Sequence, residues 1–372
     1  MIMFLKKLRI VNFKNIADAE LDFSPKINCI LGNNGEGKTN LLDAVYFLSM
    51  TKSFFNLSDN YLLYFGEKSC GVNGEYIMHD GSIESVSLGI KLMEQNQGGY
   101  GKSAKRNGKP YSRLSDHIGL IPIVMVSPAD TVLVNGSGEE RRRFMNYVLS
   151  QTDREYLRRI QSYNQLLAQR NKLLKMQEIS DDLLDTLSQQ LSSHAAYIYS
   201  KRGELSAQLS LFAEDYYNKL SGGRERIELK YLSDLSHKPM YELLQEAVQR
   251  DKILHYTSVG VQRDDIDFMI DGYPIKKIGS QGQQKSFLIS LKLAQFALIR
   301  RDSGEIPLLL LDDVFDKLDM KRVEFLLGIV SSSLFGQIFI TDSNKVRMDR
   351  ILDSVGTDSR SFIVEGGSYN EA

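Results

Sequence analysis

Gly32 to Thr39 reads Gly-Asn-Asn-Gly-Glu-Gly-Lys-Thr, the G-x-x-x-x-G-K-T spacing that cradles phosphate. Gly32, Gly35 and Gly37 let the backbone turn tightly, so the N–H groups between Asn33, Asn34, Glu36 and Asn40 can face phosphate oxygens. Lys38 would reach the β- and γ-phosphates, and the Thr39 hydroxyl would hold Mg²⁺. A second chemical stretch is Leu308-Leu309-Leu310-Leu311-Asp312-Asp313. Asp312 would hold Mg²⁺, directly or through water, beside Thr39, and Asp313 would orient or deprotonate an attacking water. A third is Gly279-Ser280-Gln281-Gly282-Gln283-Gln284-Lys285, a turn whose hydroxyl, N–H groups and helix dipole make an anion site. One nucleotide does not need two γ-phosphate sites in one chain. In a two-fold dimer, however, Ser280, Gly282 and Gln283 can close over the partner's nucleotide.

These residues need particular elements behind them. Ile27 to Leu31 predicts a buried strand before the phosphate loop, and Leu41, Leu42, Val45 and Leu48 predict a helix after it. The four leucines before Asp312 predict a central strand of a parallel sheet, whose ligand sites lie at the carboxyl ends of strands. Further strands are expected at 5–12, 121–126, 337–341 and 361–364, with a helix over Arg322 to Val330. Residues 69–93 predict an antiparallel hairpin turning at His79-Asp80-Gly81, then a loop over Gln95 to Gly101 and a tight turn at Asn107-Gly108. From Glu139 to about Leu220 the pattern is helical with one break near Glu178 to Asp182, predicting an antiparallel pair of long helices. Ser221-Gly222-Gly223 ends it, and a strand (Ile227 to Tyr231) and a helix (Met240 to Arg250) follow. The expected division is a split α/β head, 1–130 and 255–372, around an inserted, mostly helical lobe, 131–254.

At 372 residues, with 42% hydrophobic and 25% charged residues, the composition is that of a globular protein of two domains or one large split one. No apolar run approaches the ~18 residues of a membrane span, and the start of the chain has the wrong order for a secretory signal. Two cysteines, Cys29 and Cys70, offer no disulfide framework or metal spacing, which fits a reducing cytosol. A net charge of −1 excludes a uniformly basic nucleic-acid binder, so any DNA contact must come from a local patch.

The order phosphate loop, Ser-x-Gly-Gln, two-acid strand and Asp319 after a short turn resembles the ATP-binding-cassette ATPases, in the branch that includes the SMC proteins. There a helical insert splits the head, and here about 240 residues separate Thr39 from Ser280. Within that branch the likeness to bacterial recombination and replication-repair ATPases runs nearly end to end. It includes Asn12-Phe13-Lys14-Asn15, Lys52-Ser53-Phe54, Ser127-Pro128-x-Asp130, Gly136-Ser137 with Arg141-Arg142-Arg143-Phe144, Gln169-Arg170-Asn171, Arg263-Asp264-Asp265 and Phe339-Ile340-Thr341. The chain departs from the pattern at Gly138 (usually Pro), Asn146 (usually Asp) and Val261-Gln262 (usually Pro-His). No clear nucleotide-sensing glutamine follows the first helix, and Thr341 stands at the switch position where transporters carry His.

The resemblance implies an ABC/SMC-like P-loop ATPase head with ATP and Mg²⁺ as cofactors and weak, DNA-stimulated hydrolysis. Lys38, Asp313 and Ser280 would be catalytic, with Thr341 near the nucleotide. It further implies an ATP-dependent homodimer on duplex, gapped or single-strand/duplex junction DNA, mediators of the RecR and RecO type, and a cytoplasmic, nucleoid-associated place in recombinational repair. Candidate DNA contacts are Lys102, Lys105, Arg106 and Lys109, read as a loop, and Arg141, Arg142 and Arg143 with Arg158, Arg159 and Arg170. The alternatives are another SMC-like ATPase (defence or nuclease-associated) and a transporter ATP-binding subunit. The helical insert and the missing switch histidine count against the transporter.

Overall fold

The computed structural model describes residues 2–55, 58–93, 99–315, 320–330, 332, 334–345, 348 and 358–372. Asp319 and the stretch 95–98 lie outside the described residues. The chain divides into two compact units, Met1–Ala129 with Ile299–Ala372, and Asp130–Leu298. The second unit runs well past the boundary expected at 254 and takes in the Ser280 turn.

In the first unit a six-stranded sheet is ordered Ser368–Glu371, Ser359–Glu365, Ile27–Leu31, Ile338–Asp342, Leu308–Asp312, Ile123–Val126. Its strands are parallel except for the outermost hairpin. Ile27–Leu31, Leu308–Asp312 and Ile338–Asp342 are buried at every position, as strands covered on both faces must be, and this is why they read as unbroken apolar runs. A second, antiparallel sheet is ordered Ile16–Asp22, Phe4–Phe13, Ser69–Ile77, Ile83–Leu92, Tyr100–Arg106, Lys109–Pro110. Its last turn is Asn107-Gly108, both left-handed (φ 50° and 76°), the geometry that favours Asn-Gly. The expected loop therefore gives way to a strand from Tyr100, and Lys102, Lys105 and Arg106 stand on that strand.

The helix Lys38–Met50 packs against strands of both sheets, which explains why eleven of its residues are buried. Gly74 makes the approach possible: a Cβ there would lie 2.8 Å from Leu48 Cδ1. The two sheets are tied by Gln337, 1% exposed. Its amide accepts from Leu5 N and donates to the Leu5 and Ser24 carbonyls, each at 2.8 Å.

The second unit carries the helices Gly138–Thr152, Arg154–Leu173 and Asp181–Ser221 (41 residues). The expected first helix is thus two. Asp153 breaks it by taking an extended conformation and accepting from Tyr156 N as an N-cap, a role short acidic side chains favour. The second and third helices pack together. Gly222, left-handed at φ 76°, ends the long helix as expected. Ile227–Leu232, Asp265–Ile270 and Tyr273–Pro274 form a small antiparallel sheet, and Met240–Leu254 is helical. Among the described residues no helix is long and apolar enough to cross a membrane. Cys29 and Cys70 are both buried.

Candidate nucleotide site

The parallel sheet decides which side chains meet. The strand Ile338–Asp342 lies between the phosphate-loop strand and the two-acid strand, pairing Thr341 with Ile30 on one side and Asp312 on the other. At their carboxyl ends Thr39 Oγ1 and Thr341 Oγ1 both donate to Asp312 Oδ1, each at 2.8 Å. Ser127 Oγ, just beyond the strand Ile123–Val126, donates to Asp312 Oδ2 at 3.2 Å. Three hydroxyls thus fix a carboxylate that is only 4% exposed. A hard cation wants such a cluster of oxygens, so Asp312 and Thr39 suit Mg²⁺. Asp313 follows with a left-handed backbone (φ 48°), its N–H donating to Thr341 Oγ1 at 2.9 Å. One threonine therefore positions both acids.

Lys38 begins the helix behind Gly37 (φ 118°), and its Nζ donates to the Gly32 and Asn33 carbonyls at 2.7 and 2.8 Å. The ammonium stands over the loop, where phosphate oxygens would meet it. Asn34, Gly35, Gly37, Lys38, Thr39, Asn40, Asp312, Asp313 and Thr341 line one cavity of about 210 Å³. Nine of the residues expected at the site therefore come together in the first unit.

The loop is also held from outside. Asn15 donates to the Glu36 carbonyl (3.2 Å) and accepts from Asn40 Nδ2 (2.7 Å). The turn Gly366-Gly367 donates to the Glu36 side chain and carbonyl, and Tyr369 OH donates to the Gly37 carbonyl at 2.9 Å. Gly367 is required there, since a Cβ would lie 2.4 Å from the Asn15 carbonyl oxygen. Behind the helix, Asp43 receives Lys14 (2.5 Å), Ser53 Oγ (2.6 Å) and Phe54 N (2.7 Å), which explains the Asn-Phe-Lys-Asn and Lys-Ser-Phe strings. Sequence reasoning gave no role to Ser127, Asn15 or Tyr369. Ser127 and Asn15 sit in quoted motifs, whereas nothing local to Tyr369 signals its partner.

In the second unit Ser280 and Gln283 form a reciprocal cap on the helix Gln281–Ser303. Gln283 N donates to Ser280 Oγ (3.2 Å) and Ser280 N to Gln283 Oε1 (2.6 Å), the capping-box arrangement. Ser280 is exposed, and Gly282 lies in the first turn, its carbonyl accepting from Ser286 Oγ at 2.9 Å.

Most basic candidates for DNA are engaged within the protein. Arg141 is 6% exposed and forked onto Asp265 at 2.6 and 2.9 Å. Burial is the largest single influence on Asp265 and raises its pKa, but the Arg141 bond, the Ile266 N–H and the charges of Arg141 and Arg142 together hold the carboxyl below the usual range. Arg143 pairs with Glu139 and Glu140, each at 3.0 Å. Arg170 is fully buried on Asp251 and Thr257, both at 2.7 Å, and Arg158 and Arg159 share Glu155. Lys102 is bound to Asp59 and the Thr51 carbonyl, both at 2.8 Å, and Arg106 to Glu84 at 2.7 Å. Arg141, Arg170 and Lys102 are therefore ion-paired within the protein and little exposed, and charge patterning does not show this because their partners lie far along the chain. Lys105 and Lys109 are exposed and make no ion pair among the described residues. The three departures, Gly138, Asn146 and Val261-Gln262, gather around Arg142: Asn146, Val261 and Gln262 line one cavity with it, and a Cβ at Gly138 would lie 2.9 Å from its Nη1.

The family model for the RecF/RecN/SMC N-terminal domain matches residues 4–361. The chain is 44% identical over 370 residues to the DNA replication and repair protein RecF of Bacteroides fragilis, covering 99% of this chain and 98% of that one. The chain belongs to the RecF family. It is 45% identical over 366 residues to RecF of Porphyromonas gingivalis, covering 98% and 99%. A solved structure of the recombination mediator protein RecF with ATP superposes with a TM-score of 0.88 at 28% identity, covering 100% of this chain and 98% of that one. A Smc head domain derived from Pyrococcus furiosus, at 16% identity and TM-score 0.57, covers 100% and 96% and shares the fold. An SMC-like ATPase head is thus the fold of this RecF-family chain, and the transporter alternative drops out.

Proposed function

We propose that this chain is an ATP-dependent DNA-binding switch of recombinational repair and replication-fork maintenance. The observation that carries this is the Asp312 carboxylate collecting Thr39, Thr341 and Ser127 beside the phosphate loop. The loop and Lys38 bind the triphosphate of ATP, and Thr39 and Asp312 hold Mg²⁺, which neutralises phosphate charge when bound. Asp313, set by Thr341, orients and deprotonates water for slow hydrolysis. Ser280, Gly282 and Gln283 act on the γ-phosphate held by a second copy, so ATP favours a dimer on duplex or gapped DNA and hydrolysis releases it. Partners of the RecR and RecO type then gain access to the DNA junction. The family relatives named for DNA replication and repair, and the ATP-bound neighbour from the RecFOR pathway, support this reading.

Analytical ultracentrifugation with ATP and a gapped duplex tests it. The parent protein should dimerise with ATP and not with ADP. Ser280→Arg should keep nucleotide binding while losing the dimer and hydrolysis. A normal ATP dimer from that variant would remove Ser280 from the mechanism.

A further inference from the structure

The second unit contains a polar cavity of about 270 Å³, lined from the helices Gly138–Thr152, Arg154–Leu173 and Asp181–Ser221 and by Val261 and Gln262. Three arginines border it, and their charges are not equally met. Arg202, 2% exposed, bonds Asp264 at 2.7 Å and the Val261 carbonyl at 2.6 Å. Arg143 has the two glutamates at 3.0 Å, including Glu139 at the rim. Arg142 makes no ion pair among the described residues. Among the described residues its one hydrogen bond runs from Nη1 to the main-chain carbonyl of Asp264, 2.7 Å. The neighbouring Asp265 is forked by Arg141 through both oxygens. Arg142 is half-buried, and burial, then the like charge of Arg202, lowers its pKa against the opposing pull of the Asp265, Asp264 and Glu139 carboxylates. With one hydrogen bond and no directly paired carboxylate, the half-buried guanidinium keeps N–H donors for an added oxyanion.

Two amides add donors without adding charge. Asn146 Oδ1 accepts from Tyr156 OH (2.6 Å) and from Arg202 Nη2 (3.1 Å). Arginine can only donate, so the atom facing it must be the oxygen. The Asn146 NH₂ then has no partner among the described residues. Asn164 is exposed at the mouth, and its side chain makes no hydrogen bond among the described residues. A rigid, always charged fork flanked by amide donors matches an oxyanion better than any neutral ligand. The volume falls below the ~300–1,000 Å³ of sites that enclose a drug-sized molecule, so a small group fits.

We propose that this cavity is a binding site for a phosphate group, held by Arg142, the Asn146 amide and Asn164, and separate from the nucleotide loop. The phosphate comes either from nucleic acid or from a free phosphate in solution, and the chemistry of capture is the same. The proposal does not depend on the reading of the nucleotide site.

Isothermal titration with inorganic phosphate on the full chain carrying Lys38→Ala tests it, since that background suppresses phosphate capture by the loop. Arg142→Gln and Asn146→Asp should each weaken binding at least ~10-fold. Asn146→Asp is the deciding variant. It puts a carboxylate beside Arg142 and Arg202, so its thermal midpoint should hold or rise while phosphate binding is lost. A purely structural Arg142 predicts no phosphate binding that either variant changes. Competition then names the source: displacement of phosphate by a 5′-phosphorylated duplex alone indicates a DNA end, displacement by both phosphorylated and unphosphorylated duplexes indicates the backbone, and displacement by neither indicates a free phosphate. Equal phosphate affinity in the background protein and in both variants would overturn the proposal.

Discussion

Thr341 donates to Asp312 and accepts from the Asp313 N–H, so its hydroxyl separates two functions that are otherwise hard to tell apart. Thr341→Val should leave ATP binding by the loop intact while hydrolysis falls ~10²-fold, the scale of a misplaced base. Thr341→Ser should restore most of the rate, and steady-state phosphate release reads both. Asp313→Asn should show the same loss with the sheet undisturbed, whereas Lys38→Ala should abolish ATP binding outright. Ser127→Ala removes one of the bonds that orient Asp312, and such supporting contacts are worth ~10–100-fold in metal affinity. The Mg²⁺ concentration for half-maximal ATPase should rise by about that factor, and an unchanged value would make Ser127 incidental. Lys38, Thr39, Asp312 and Asp313 were legible because their chemistry is written in contiguous strings. Ser127 was not, since its partner lies 185 positions away.

At the scale of elements, the helix behind the phosphate loop depends on a buried histidine. His117 Nε2 meets the Leu48 carbonyl at 2.6 Å, and Nδ1 faces Tyr111 OH at 3.0 Å. A carbonyl only accepts, so Nε2 carries the proton and Nδ1 accepts from the phenol. Burial first, then the charge of Arg106, lowers the His117 pKa against the pull of Leu48. The unfolded chain gains a proton near pH ~6.5 while the folded chain does not until lower pH. Stability is therefore full above ~6.5 and is lost as pH falls through that value toward the folded pKa. The urea midpoint should drop between pH 7.5 and 5.5, and His117→Gln should flatten that slope. Gln337→Leu should cost about 3 kcal/mol in chemical denaturation, because it strands Leu5 N–H and two carbonyls between the sheets. Strand and helix identities were readable from periodicity. The Asp153 break and the strand at Tyr100 were not, because one depends on a local cap overriding a continuing apolar stripe and the other on pairing with Ile83–Leu92.

For the whole molecule, DNA binding is the property that charge patterning described least well. Arg141 and Arg170 are held by acids far along the chain, so replacing them should unfold the protein before it changes affinity. Lys105 and Lys109 remain exposed. If they meet phosphates, Lys105→Ala with Lys109→Ala should flatten the dependence of log affinity on log salt by ~2, at ~0.9 per contact. An identical slope, measured by fluorescence anisotropy, would move the DNA elsewhere.

The sheet order also sets a timetable. The phosphate-loop strand emerges early from the ribosome, yet both of its neighbours, Ile338–Asp342 and Ser359–Glu365, come about 310 residues or more later. At ~5–20 residues per second that is roughly 15–60 s with an unpaired apolar strand. Asp130–Leu298 is contiguous and can collapse during this interval. Stalled nascent chains should thus gain protease resistance first in the insert, and the nucleotide pocket should close only once the last hairpin has cleared the exit tunnel.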